Sequence, residues 1–441
     1  MKLFLHNFLK GDKIIWIIFI ILCAISFIEV FSASSLLTFK SGDHLRPIGT
    51  HFTLLMAGVA LAWVIHNIPC RWFNRMILLY PIAIGMLLAV LFIGATTNSA
   101  RRWLEIAGIQ FQPSELGKMA TIVVVAFILS RFREGEYANR KAMKFILWTT
   151  VPMCALIFPE NLSTALLLAV SVYLMMFVGR IPTKQMLKLT AVCIIGGALA
   201  TTAMMTVPDN GWEKIGLKRV STWKSRITKL VDQTEIPAAK YDLENDGQVA
   251  YANIAIATSN ILGKGPGNSI QRDFLPQAFS DFIYAIIIEE LGLFPAAIIA
   301  FLYIALLIRI GRIANLCDKP FYIFLITGIG ILMVGQALFH MLIAVGIGPV
   351  TGQPLPLISK GGTSMLINSI YIGIILSISR YVKEQKDKQQ AEEAEKQAQV
   401  QEAAITLLRN AANSLASEKE TTNSFERNTE TSSPKDAEEK E

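Results

Sequence analysis

Ten apolar blocks, each close to the length of one membrane crossing, set the limits on what this chain can fold into. A spanning helix rises about 1.5 Å per residue, so a hydrocarbon core about 30 Å thick needs roughly 20 mostly apolar residues. Blocks of that kind lie at 14–37, 52–69, 76–96, 114–131, 144–159, 162–179, 189–207, 281–308, 320–345 and 364–381. The boundary between 144–159 and 162–179 rests on Pro159, Glu160 and Asn161, which mark either a turn between two helices or a kink in one. Composition agrees: 53% of the 441 residues are hydrophobic and 17% are charged, against about 25% charged in soluble domains. The fold class is therefore an all-α polytopic membrane protein with about ten transmembrane helices. The first block starts at Ile14, is longer than a signal-peptide core and lacks a small-residue cleavage site, so it reads as an anchor.

Orientation follows from Lys and Arg in the short loops. Lys2, Lys10 and Lys13 share a side with Arg71 and Arg75, with Arg131, Arg133, Arg140, Lys141 and Lys144, and with Arg180, Lys184 and Lys188. Arg309, Arg312, Lys319, Arg380 and Lys383 continue the series. Both termini are expected in the cytoplasm. The loops 97–113 and 346–363, and the long loop 208–280 between helices 7 and 8, are expected outside. The net charge of +7 is then a topology signal and points to no nucleic-acid partner. The five cysteines are scattered without a CxxC and read as small apolar fillers. Residues 1–383 form the membrane domain. Residues 384–441 form a polar tail, with helix-forming composition up to about Ser417 and a disordered composition beyond it. No internal repeat is evident.

Polar residues among so much hydrocarbon are the candidates for function. The stretch 274–292, FLPQAFSDFIYAIIIEELG, has Asp281 at the mouth of an apolar run and Glu289 and Glu290 further in. Intramembrane acids are functional candidates by default, while a wet helix cap explains Asp281 equally well. The loop 98–118, NSARRWLEIAGIQFQPSELGK, ends in a helix start at Pro113. There Glu115 and Lys118 lie three apart on one face, as a neutralising ion pair or as part of a site. Arg101 and Arg102 beside Trp103 suit an interfacial anchor or a cradle for phosphates. PENLSTA, at 159–165, reads as a capped turn. GIGPVTGQPLPLISKGGTS, at 346–364, has three prolines and five glycines between two apolar helices. Irregular backbone at membrane depth must be buried in protein or line a cavity, so a re-entrant, ligand-facing loop is predicted there. Glycine-rich GKGPGNS at 263–269 follows no strand and lacks P-loop spacing, which excludes a nucleotide fold.

NSARRW…FQPSELGK, GKGPGNSIQRDFLPQAFSDFIYAIIIEELG and GPVTGQPLPLISKGGTS, in this order and spacing, resemble the SEDS family of FtsW/RodA-type peptidoglycan glycosyltransferases over roughly residues 10–383. The resemblance implies polymerisation of lipid II, with release of undecaprenyl pyrophosphate. It places the family's essential outward aspartate on Asp281 and its charged pair on Glu115 and Lys118. Arg101 or Arg102, Ser359, Gly361 and Gly362 fall on motif positions lining the same outer cavity. It further implies a cell-division rather than an elongation role, a bacterial inner-membrane location at the septum, and a class B penicillin-binding protein as partner beside other division proteins and membrane lipids. Three departures stand out. Glu160-Asn161-Leu162 replaces a Pro-Asp-Leu pattern, His340 replaces an asparagine, and Lys360 replaces an aromatic.

The expected chemistry is one inverting displacement: a base at the acceptor hydroxyl and positive charge at the departing pyrophosphate. Asp281 is the expected base, or the ligand of a divalent cation, Mg2+ or Mn2+; no organic cofactor is expected. Arg101, Arg102 and Lys118 are the expected phosphate-facing cations, with Glu115 orienting Lys118. A lipid II flippase and a non-catalytic division scaffold are the rival readings.

Overall fold

The computed structural model describes residues 10–33, 46–93, 95–97, 100–106, 109–135, 137–208, 212, 220–231, 247–275, 278–348 and 350–430. In chain order its helices are α1 (Lys13–Ala33), α2 (Arg46–Asn67), a 3-10 segment (Cys70–Leu78) running into α3 (Leu79–Ile93), α4 (Pro113–Arg131), α5 (Arg140–Ile157), α6 (Leu162–Val178) and α7 (Thr183–Thr206). There follow α8 (Val220–Val231), α9 (Gly247–Ala257), a short 3-10 turn at Gln271–Asp273, α10 (Ile283–Leu291), α11 (Leu293–Asn315), α12 (Pro320–Ala344) and α13 (Gly362–Glu430). Three strands, β1 (Ala95–Thr97), β2 (Ala100–Ile106) and β3 (Ile109–Phe111), pair antiparallel in that order between α3 and α4, and a small hairpin, Arg133–Glu134 with Tyr137–Ala138, joins α4 to α5. Among the described residues eight helices are long and apolar enough to cross a membrane. The chain is an all-α multi-pass membrane protein.

Nine of the ten apolar blocks each fall on one helix, including the pair divided at Pro159, which separates into α5 and α6. Asn161 makes the break: its side chain caps α6 by accepting from the Thr164 amide at 3.2 Å, an ordinary N-cap arrangement. At the other end of the bundle Asp12 caps α1, accepting from the amides of Ile14 and Ile15, and pairs with Arg309 at 2.6 Å. The bundle is organised around α12, which packs against α11, α4 and α6, while α4 also touches α3 and α5. Nearly every side chain of α4 is buried. In α7 Met186 alone is buried, so its Leu and Ile residues face outward, as lipid-facing positions do.

Contacts divide the chain into two units, Met1–Val382 and Lys383–Glu441. In the second unit the residues through Glu430 are helical, past Ser417, where composition predicts that order ends. Ala, Glu, Gln and Lys, all good helix formers, dominate 384–416 and account for a polar helix there.

The block predicted as one helix over 281–308 is two. Asp281 lies in a turn, α10 begins two residues later, and Gly292 breaks the run before α11. Gly292 has φ 95° and ψ 173°, a conformation essentially confined to glycine. A Cβ there would lie 2.3 Å from the Ile261 carbonyl oxygen, and one on Gly263 would lie 2.2 Å from that of Glu290. Two backbones cross with nothing between them. The crossing is laced by hydrogen bonds from Lys264 N to Glu289 O (3.0 Å), from Gly265 N to Glu290 O (2.8 Å) and from Leu293 N to Asn260 O (3.3 Å). Gly292→Ala therefore combines about 1–3 kcal/mol of backbone strain with a direct clash. We expect it to lower the unfolding midpoint in detergent. Gly85→Ala, on open helix surface, should be neutral or stabilising by about 0.5–1 kcal/mol. Equal midpoints for the two variants would refute the crossing as a structural requirement.

Candidate active site

The loop 350–361, between α12 and α13, is non-helical backbone held inside the bundle, and its Leu355, Leu357, Ile358 and Ser359 are buried. Buried peptide groups need partners, and side chains from three helices supply them. Gln353 O accepts from His340 Nδ1 (2.7 Å) and Pro354 O from Gln336 Nε2 (2.9 Å), both on α12. Pro356 O accepts from the Tyr303 hydroxyl of α11. Ile358 O accepts from Ser26 Oγ of α1 (2.7 Å). Since that hydroxyl directs its proton to Ile358, it accepts from His51 Nε2 of α2 at 3.1 Å. The Gln353 side chain donates to Thr164 Oγ1 of α6. Leu357 sits at φ 65°, a rarely populated conformation for a leucine that persists only when its surroundings over-determine it.

This pinned loop meets the turn that carries Asp281. Lys360 N donates to Phe279 O at 3.0 Å, and Ser359 Oγ donates to Ser280 O at 2.8 Å while accepting from Leu355 N at 2.7 Å. Ser280 Oγ in turn donates to Asp281 Oδ1 at 2.9 Å. The other carboxylate oxygen, Oδ2, lies 3.3 Å from where a Cβ on Gly352 would stand, so glycine lets the loop approach the carboxylate. Asp281 is half-buried. It is not a helix cap: the N-cap position of α10 is Phe282, and no side chain caps it.

Glu115 and Lys118, in the first turns of α4, form an ion pair of 2.7 Å at 2% and 1% exposure. The Lys118 ammonium also donates to Gln336 Oε1 at 2.8 Å, and Gln336 is the residue that holds Pro354. A buried charge needs such partners. The pair is thus a bracket for the loop, with Lys118 bonded to both Glu115 and Gln336. Ser359 is likewise a buried clamp rather than a substrate-facing hydroxyl. Gly361 packs against Pro354 and Ser364, and Gly362, at φ 31°, opens α13. Arg101 and Arg102 lie on β2, and their side chains are outside the described residues. His340 and Asn161, the departures in the sequence, both serve the loop: His340 directly, and Asn161 through the cap that sets Thr164.

Glu289 and Glu290 stand apart from this site. Glu289 accepts from Lys264 Nζ (2.6 Å), from Ser269 Oγ, and from the amides of Ile270 and Gln271. Glu290 accepts from the amides of Gly267 and Ser269 and from Ser32 Oγ, with Arg272 at 3.6 Å. Together they grip the loop 264–272. Several structural residues were not singled out from sequence. Gln336, a lone amide in the apolar run of α12, carried the signal that an isolated polar residue in a membrane helix carries. Ser26, His51, Tyr303 and Gln353 carried none that separates them from ordinary helix and loop residues.

The family model for FtsW, RodA and SpoVE, described as a cell cycle protein, matches residues 12–384. The chain belongs to this family. Within the FtsW/RodA/SpoVE family it is similar to a probable peptidoglycan glycosyltransferase FtsW of Hahella chejuensis, with 31% identity over 81% of this chain and 87% of that one. It is also 29% identical to the protein of that name from Enterococcus hirae, over 86% and 96%. Two solved structures share the fold. One is from a peptidoglycan synthase complex that coordinates polymerization and crosslinking, with a TM-score of 0.67 and 21% identity, covering 84% of this chain and 98% of that one. The other is the rod shape determining protein RodA of Thermus thermophilus, with a TM-score of 0.58 and 21% identity, covering 85% and 98%.

If Ser359 clamps the turn, Ser359→Ala leaves the Leu355 amide and the Ser280 carbonyl unpaired in a buried place, at about 1–3 kcal/mol. The unfolding midpoint should fall and proteolysis between 350 and 361 should accelerate. An unchanged midpoint together with unchanged cleavage would remove the clamp role.

Proposed function

We propose that the chain is a peptidoglycan glycosyltransferase of the FtsW type, joining lipid II units into glycan strands in the bacterial cytoplasmic membrane during septal wall synthesis. The observation that carries this reading is the arrangement at Asp281. A half-buried carboxylate is fixed by Ser280 and faced by the Gly352 backbone, on a loop bonded by side chains of four helices. Support comes from the naming of the Hahella and Enterococcus relatives as probable peptidoglycan glycosyltransferases.

In this reading the acceptor sugar's 4-hydroxyl attacks the anomeric carbon of the donor, and the bond from that carbon to the pyrophosphate oxygen breaks. Asp281 takes the hydroxyl proton, and inversion follows from a single displacement. The Ser280 bond to Oδ1 orients the carboxylate. Glu115, Lys118, Gln336, Ser359 and His340 act one step removed, by holding the loop. Arg101 and Arg102 remain the candidates on β2 for phosphate. Loop 208–280 and the Asp281 turn face outward, where a lipid-tailed substrate presents its head group.

Among the described residues no three His, Cys, Asp or Glu side chains gather into a metal cage. Asp281 offers one carboxylate, a donor set that suits a hydrated Mg2+ or Mn2+ carried in with a diphosphate. Such an ion would neutralise charge on the leaving group. The partner protein would be a crosslinking penicillin-binding protein of class B, a reading supported by the fold shared with a synthase complex that coordinates polymerization and crosslinking.

Asp281→Asn keeps the Ser280 contact and removes the base. We expect an unchanged unfolding midpoint and a loss of at least about 10²-fold in chain synthesis from purified lipid II with the partner present. Normal synthesis by this variant would overturn the assignment, and a wild-type protein that makes no chains with its partner would overturn the polymerase reading itself. Detergent solution makes flipping meaningless, so activity there also separates polymerase from flippase. Chelation should abolish wild-type synthesis, and Mg2+ or Mn2+ should restore it; full activity in chelator would remove the metal.

A further inference from the structure

The described part of the site has its base in place, but its buried cation, Lys118, is occupied by Glu115 and Gln336. A second cation stands on the same turn-and-loop junction as Asp281. Lys360 follows Ser359, its amide bonds Phe279 O, and its ammonium lies over the Phe279 ring at 5.4 Å from the centroid. Two hydrogen bonds, from the Ser359 hydroxyl to Ser280 O and from the Lys360 amide to Phe279 O, therefore hold the base of the lysine side chain against residues 279 and 280, directly before Asp281. Cation–π attraction favours the ammonium over the ring face, which fixes the charged end beside the junction. Lys360 is half-buried, and burial pushes its ammonium below the ordinary lysine range. An ammonium in that state gains from an incoming anion, which offsets lost hydration.

We propose that Lys360 is a substrate-binding residue that takes a phosphate oxygen of the lipid-linked diphosphate while Asp281 serves the acceptor hydroxyl on the same junction. This rests on the polymerase reading and adds to it a named residue for the leaving group. The chemistry asks for such a group: breaking the bond at the anomeric carbon leaves negative charge on the diphosphate, and a fixed cation there stabilises the transition state. It also assigns the two charges of the junction to two ends of the reaction, carboxylate to the nucleophile and ammonium to the leaving group. A compact ammonium meets a phosphate as a point charge, so arginine should substitute in part and a neutral side chain should not.

The test separates binding from chemistry. In an Asp281→Asn background, where turnover is blocked, binding of undecaprenyl pyrophosphate to the full chain in nanodiscs is measured with and without Lys360→Gln. Loss of one charge-assisted hydrogen bond should weaken binding by about tenfold or more. Lys360→Arg should recover most of it, and undecaprenol, which has the same tail without phosphate, should bind equally to all variants. With Asp281 intact, Lys360→Gln should raise KM for lipid II and weaken inhibition by undecaprenyl pyrophosphate, at an unchanged unfolding midpoint. Unchanged binding and unchanged product inhibition in Lys360→Gln would overturn the proposal. So would a loss that undecaprenol shares, because the effect would then be on the lipid tail. Failure of the wild-type chain to polymerise lipid II would strike the underlying reading instead, and the diphosphate-binding arm would still report on Lys360.

Discussion

A segment of non-helical backbone inside a membrane bundle can exist only if its peptide groups find partners, and much of this molecule is arranged to provide them. Hydrocarbon supplies no water to satisfy a carbonyl. Ser26, Tyr303, Gln336 and His340 each give one hydrogen to the loop 350–361, and the Gln353 side chain ties it to α6. Residues far apart in sequence thereby depend on one another. The Glu115–Lys118 pair has its purpose through Gln336, and Asn161 has its purpose through Thr164. The carboxylate at the centre of the proposed chemistry inherits its position from this framework, by way of Ser359 and Ser280.

The same framework explains why buried polar residues do not all read as catalytic. Lys118 and Glu115 are charged, enclosed and close to the site, the features that usually mark function. Their geometry is that of a mutual pair with an amide bridge to the loop. Glu289 and Glu290 carry more hydrogen bonds than any substrate contact would leave room for, and every one goes to the loop 264–272, to α1 or to Arg272. What distinguishes Asp281 is partial exposure combined with fixed orientation.

Apolar block length was enough to read the helices, because a bilayer imposes one length scale on every crossing. It was not enough to find the break at Gly292, which depends on a distant backbone, Ile261 to Gly263, that no local pattern announces. The irregular loop was legible from its prolines and glycines. Its partners were not, because a serine, a histidine and a tyrosine on three separate helices look like any others until the chain is folded. Spacing of three residues brings Lys118 to Glu115, but only tertiary structure brings Gln336 to Lys118.

The grip of Glu289 and Glu290 on residues 264–272 closes the chain into a ring. It runs from that loop past Asp281 into α10, whose last turn returns to hold the loop, with the Gly263–Gly292 crossing as the knot. The segment ahead of Gly263 meets this ring through α9, which packs on α10 and stacks Tyr251 on Phe274 at 5.4 Å, so a displacement of α9 has a direct path to the turn that carries the carboxylate.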